Sequence, residues 1–367
     1  MKSTAMIVML FCLILGATIP AASQADLGRL IEALKSSNAV ERATAACELG
    51  AMGESAAPAI SHLVRLLGDE TAVRVLDCGG RGRGKFHDDD DTVGKEAAIA
   101  LSRIGPLAVD PLVLALKTQE WQARKNAAFA LGLLKDDRSV EPLIAALNDS
   151  AWQVRAQAAW GLGLKHDSRA VEPLINALKD AEWQVREQAA WASGLVGNRD
   201  SVEPLSTALR DSNSRVRAQA AWALGLKGNR DAVEPLMAAL KDSDSNVRAQ
   251  AAWAIGLKGD SRAVESLMDV LKDTDGNARA QAAWALGLKG DYRAVEALSA
   301  ATKDENNHVR KQATWALGLI LMRDRRAANM NIKIEVDPDT QDDDSQNPSR
   351  NRDRQRVRNK TKDKDND

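Results

Sequence analysis

Apolar residues recur along most of this chain at a leading valine and then four, five and eight positions later. Val154, Ala158, Ala159 and Leu162 form one such set, and at about 100° per residue on a helical wheel they fall on a single stripe. The set returns every 31 residues, as VRAQAAWGLGL from Val154, VREQAAWASGL from Val185, VRAQAAWALGL from Val216, VRAQAAWAIGL from Val247, ARAQAAWALGL from Ala278 and VRKQATWALGL from Val309. ARKNAAFALGL from Ala123 is the same unit one step earlier. A second phrase keeps step with it, VEPL at Val140, Val171, Val202 and Val233, then VESL at Val264 and VEAL at Val295. A fixed period of this length is the mark of a repeat architecture in which each unit buries its apolar face against the next.

Local chemistry divides each unit into two short helices. Asp136, Asp167, Asn198, Asn229, Asp260 and Asp291 precede the first helix, where an Asx side chain caps the free N–H groups. Pro142, Pro173, Pro204 and Pro235 fall in its first turn, where a missing N–H costs little. Asp149, Asp180, Asp211, Asp242, Asp273 and Asp304 mark the turn into the second helix. Upstream, residues 57–67 and 111–117 are expected as first helices, and 42–50 and 95–104 as second helices. The expectation is nine helix pairs between Asp26 and about Leu321, an all-α protein.

These motifs resemble the HEAT repeats, in particular the short HEAT-like units named after phycobilisome lyases, whose signature joins VR-x-x-AA-x-ALG to a D-x-R-AVEPL helix start. The resemblance implies a right-handed α-solenoid with the second helices lining a concave face and a partner lying in that groove; it implies no single function. Arg124, Arg155, Arg186, Arg217, Arg248, Arg279 and Arg310 match the family's arginine, which resembles a structural rung bonded to neighbouring turns.

Aromatic residues are scarce, 4% of the chain, yet nine of the thirteen are Trp. On the same wheel Trp160 lies near 240°, roughly opposite the apolar stripe, with Leu164 and Gln157 beside it. Phe129, Trp160, Trp191, Trp222, Trp253, Trp284 and Trp315 are therefore expected as a ladder on the groove, beside the amides Gln157, Gln188, Gln219, Gln250, Gln281 and Gln312. Two readings stand: an apolar interaction surface, or rungs that stack on one another as half-buried packing. A second set, Trp121, Trp152 and Trp183, stands just before the second helix of the third to fifth pairs.

The second pair breaks the period, and excising residues 75–94 joins Arg74 to Lys95 and regenerates a normal second helix. The excised stretch, with its glycines, basic residues and the run Asp88–Asp91, is expected to loop out. His87 and the aspartates have the oxygen-rich chemistry of a weak divalent-cation site, but their spacing matches no EF-hand, and a solvated acidic loop is preferred. Cys47 takes the Trp position of the first pair, beneath this loop, which makes a Cys47–Cys78 disulfide geometrically reasonable.

At the N-terminus, Lys2 precedes an apolar run from Ala5 to Ile19, and Pro20 and the small residues of Ser23-Gln24-Ala25 follow. This is the pattern of a secretory signal peptide, residues 1–25; an uncleaved anchor is the alternative, since a spanning helix takes about 20 apolar residues. The mature chain is expected outside the cytosol, periplasmic or extracellular, where cysteines oxidise. After Leu321 the apolar periodicity stops, and residues 322–367 are expected to be a charged, unfolded, solubilising tail.

Lys+Arg 50 against Asp+Glu 51 leaves a net charge of -1, which excludes a chain-wide footprint for nucleic acid. Three Cys and four His are too few for a disulfide framework or a zinc array. His62, His87, His166 and His308 are followed by Leu, Asp, Asp and Val, so the His-Glu iron ligands of the related deoxyhypusine hydroxylases are missing. No Walker loop, GxSxG elbow, HExxH or dinucleotide fingerprint occurs. The reading is a non-enzymatic, monomeric scaffold that binds a protein or peptide partner without cofactor, metal or membrane span; a lyase-like or hydroxylase-like role is the alternative.

Overall fold

The computed structural model describes residues 24–73, 92–258 and 260–323. Eighteen α-helices alternate there as first and second members of nine pairs: α1 Gln24–Ala33, α2 Ala39–Met52, α3 Ile60–Arg65, α4 Val93–Ile104, α5 Val109–Ala115, α6 Trp121–Leu133, α7 Val140–Ala146, α8 Trp152–Lys165, α9 Val171–Ala177, α10 Trp183–Val196, α11 Val202–Ala208, α12 Ser214–Lys227, α13 Val233–Ala239, α14 Ser245–Lys258, α15 Val264–Val270, α16 Gly276–Lys289, α17 Val295–Ala301 and α18 Asn307–Arg323. The chain is all-α, and its pairing of short antiparallel helices is that of an α-solenoid. It divides at Lys227/Gly228 into two compact units, the first holding α1–α12 and the second α13–α18.

First helices are short because a 3-10 segment precedes each from the second pair on. The Asx residues cap that turn: Asp136 accepts from the Arg138 N–H, Asn198 from that of Asp200, and Asp291 from that of Arg293. The predicted core is in place. Val154, Ala158, Ala159 and Leu162 are fully buried, as are Val247, Ala251, Ala252 and Ile255 in the second unit.

The rung arginines bind forward and backward. Arg155 donates through Nε and Nη2 to the two carboxylate oxygens of Asp180 in the next pair (2.7 and 2.8 Å), while Nη1 donates to the Asp149 and Ser150 carbonyls of its own pair. Arg124–Asp149 and Arg186–Asp211 repeat this in the first unit, and Arg248–Asp273 and Arg279–Asp304 in the second. Arg42–Asp69 joins the first two pairs. The rungs of Arg124, Arg155, Arg186, Arg248 and Arg279 are bidentate, charge-assisted bridges in a shielded seam, stronger than an exposed ion pair, while Arg42 sets both donors on one Asp69 oxygen. At Asp180 burial pushes the carboxyl pKa up, but the hydrogen bonds and charge of Arg155 hold it below the usual range.

One expected boundary is corrected. Residues 92–94 belong to the fold and not to the inserted loop: Thr92 caps α4 by accepting from the Lys95 N–H, and Val93 is buried against Ala43 and Val73. Gly94, read as a loop glycine, takes the rung-arginine position, and its N–H donates to the Asp69 carbonyl at 2.8 Å. An antiparallel bridge between Ala72 and Thr92 closes the base of the insertion. Residues 74–91, with Cys78, His87 and the aspartate run, lie outside the described residues, as do 1–23 and 324–367. The helix α1 begins at Gln24, so a cut before Asp26 would trim its first turn.

Candidate functional site: the tryptophan faces of the second helices

Ladder rings lean into the seam between successive second helices within each unit, and Phe129 and Trp191 pack against the buried core. Built on Gly163, a methyl group would stand 2.7 Å from Cζ3 of Trp191. Gly132 faces Trp160 and Gly194 faces Trp222 in the same way; in the second unit Gly256 faces Trp284 and Gly287 faces Trp315. At these five positions the glycine is therefore a seat for the next pair's indole, which explains why the position lacks a side chain. Phe129 and Trp160 stack with ring centroids 5.3 Å apart. Trp160, Trp191, Trp222, Trp253 and Trp284 are half-buried, and only Trp315 passes into the exposed range, at 41%.

Packing and exposure thus share the same residues. Gln157, Gln188, Gln219, Gln250 and Gln281 are half-buried beside the rings. One turn beyond Trp222 and Trp253, Leu226 and Leu257 are 42% and 44% exposed. Together they give each unit a stretch of apolar and amide side chains with indole edges at its floor. The first two pairs depart from this: Cys47 and Ile99 hold the Trp position. Cys47 is buried and disulfide-bonded, and Cys78 of the expected pairing lies outside the described residues.

Trp121, Trp152 and Trp183, the second set, are all half-buried, and Trp121 packs against the buried core. Lys125 Nζ lies 5.6 Å from the centre of the Trp121 ring, and the Arg215 guanidinium 5.4 Å from that of Trp183, both in cation–π range.

Sequence reasoning missed the lysines that end several second helices. Lys165 Nζ donates to the Leu134 carbonyl, Lys258 to that of Gly228 at 2.8 Å, and Lys289 to that of Ile255 at 2.6 Å. Each cation satisfies a carbonyl at the end of the preceding second helix. Burial lowers the Lys165 and Lys289 pKa values to about 8. The Lys that closes GLGLK at 165, ALGLK at 227 and 289 and AIGLK at 258 was the available signal. Among the described residues no three His, Cys, Asp or Glu side chains gather as a metal site, and no helix is long and apolar enough to cross a membrane.

The family model for HEAT repeats matches residues 85–150, 109–171, 140–217, 202–276 and 264–330, most of the chain. The chain is a HEAT-repeat protein. No curated protein matches it. Among solved structures, this HEAT-repeat chain is similar to YibA of Escherichia coli (23% identity, TM-score 0.53, covering 70% of this chain and 92% of that one) and to importin β (16%, 0.61, 82% and 49%). It is also similar to the CpcE–CpcF complex of phycocyanin lyase from Nostoc (24%, 0.42, 69% and 98%). At these identities the likeness concerns the fold.

Proposed function

We propose that this HEAT-repeat chain is a non-enzymatic scaffold that binds a partner polypeptide along the Trp-bearing faces of its second helices. The observation that carries the reading is the exposure of Leu226 and Leu257, each one turn beyond a half-buried Trp of its own helix, which leaves apolar surface uncovered. The rings serve as a rigid floor and the leucines and amides as the contact layer, so affinity accumulates over successive pairs. An enzyme-linked role like that of phycocyanin lyase is the opposing reading. We further propose export through residues 1–25 and a Cys47–Cys78 bridge formed after export; N-terminal sequencing that begins near Asp26 and non-reducing peptide maps test these two points.

The test of binding is photo-crosslinking in the source organism from position 226 or 257, with position 172 on a first helix as control. One common partner adduct from 226 and 257, and none from 172, is the expected result. Equal labelling from all three positions would remove the face from the account. Metal analysis of the purified protein is expected to show no stoichiometric iron or zinc, and one tightly held ion per chain would favour the enzyme reading.

A further inference from the structure

Trp121, Trp152 and Trp183 open α6, α8 and α10, all within the first unit. Two places beside these rings hold a cation. One is a turn further along the same helix, where Lys125 lies 5.6 Å from the centre of the Trp121 ring; the other is the second residue of the next second helix, where the Arg215 guanidinium lies 5.4 Å from that of Trp183. At Trp152 the same two places hold Ala156 and Gln184. The middle ring is therefore the one of the three with no cation over it among the described residues.

Acceptors gather where that cation is missing. Gln184 Oε1 is shielded from solvent and has no hydrogen-bond donor among the described residues. Such an atom costs free energy until a donor reaches it. Glu187, three residues on and so a neighbour of Gln184 on α10, is half-buried and makes no hydrogen bond or ion pair among the described residues. Burial pushes its carboxyl pKa up, and the charge of Arg215, which is turned over Trp183, offsets this only in part.

We propose that the place bounded by the Trp152 ring, the Gln184 amide and the Glu187 carboxylate receives one basic side chain, lysine or arginine, of the bound polypeptide. The ring supplies a cation–π face, the amide oxygen accepts an N–H, and the carboxylate supplies the opposite charge. The flanking rings already carry cations of this chain, so the same chemistry is completed from outside at the middle one. The inference rests on the scaffold reading only for the ligand being a polypeptide, and it adds a charged anchor in the fourth and fifth pairs to the apolar contacts at Leu226 and Leu257.

Titration of the full chain with N-acetyl-arginine amide at constant ionic strength, followed by the indole N–H resonance of Trp152, tests it; N-acetyl-citrulline amide, the neutral isostere, is the control. A saturable shift with the arginine probe and none with citrulline is expected, with the affinity lowered about threefold or more by Glu187→Gln, which keeps the shape and removes the charge. A response that does not saturate, an equal response to citrulline, or an affinity indifferent to Glu187→Gln would overturn the proposal. So would a shift seen only after residues 324–367 are removed, because the chain's own basic stretch would then fill the place. The readout needs no partner, so its failure leaves the binding face at Leu226 and Leu257 standing, and a failed crosslink from 226 or 257 leaves this site standing.

Discussion

The helices α4 and α8 hold the same place in their pairs and share the Val and Ala-Ala register, yet they bind the following pair by different chemistry. In α8 the rung is Arg155 reaching Asp180. In α4 the Arg position is Gly94, and the turn residue it would reach, aligned with Asp149, is Thr118. Both charges are replaced together. The connection between the second and third pairs is instead Asn126 Nδ2 donating to the Leu67 carbonyl at 2.7 Å, with the Gly94 backbone close enough that a methyl group there would stand 2.6 Å from the Leu67 oxygen. A buried charge must keep its partner, whereas a neutral seam can be built from backbone and amide groups alone.

The sharpest way to break this comparison is to remove half a rung. Arg186→Leu is expected to destabilise by roughly 3–4 kcal/mol, measured by denaturant unfolding, because Asp211 keeps its charge in a shielded seam. Adding Asp211→Thr, which copies Thr118 at the neutral seam, is expected to recover most of that loss; no recovery would mean that the arginine acts by packing alone. The reverse experiment restores the consensus at α4. Gly94→Arg is expected to cost about 3 kcal/mol despite matching every other repeat, since its Cβ meets the Leu67 carbonyl and Asn126. A stabilised variant would show that α4 can shift at no cost.

A smaller effect lies in the core stripe. Ser193 occupies the position of Leu162, fully buried, and its hydroxyl has no hydrogen-bond partner. Ser193→Ala is expected to stabilise by about 1 kcal/mol, read as a higher melting temperature. Smallest is the pH term from Lys165 and Lys289. Their folded pKa values, about 8, lie below the roughly 10.4 of an unfolded lysine, so between these values the unfolded chain binds more protons and stability rises with pH. Below about pH 8 the cost of holding a buried ammonium is fully present. Melting from pH 7.5 to 10 is expected to show this gain, reduced in Lys165→Gln; an unchanged profile in that variant would assign the gain elsewhere.

The repeat, the core stripe and the structural arginine were legible because each is fixed by a single position recurring at 31 residues. The second pair was not. Val73-Arg74 joined to Lys95 imitates the repeat so well that the true start, Thr92-Val93-Gly94, reads as loop; what decides it is the Ala72–Thr92 bridge and the close approach of backbone at Gly94, which no periodicity records. The Trp faces were half legible. A wheel gives the direction of each Cβ, but the lean of an indole onto a glycine in the preceding pair depends on helix spacing. Trp222→Ala is therefore expected to cost the fold about 2 kcal/mol, and loss of binding by that variant alone would not separate packing from recognition.

The exposed leucines make that separation. The double variant Leu226→Asp, Leu257→Asp, compared with the native chain by thermal melting and by recovery of the partner crosslinked from position 226 or 257 of the native chain, tests the central claim directly. An unchanged melting temperature and at least tenfold weaker partner binding are expected. Undiminished partner recovery would contradict the claim.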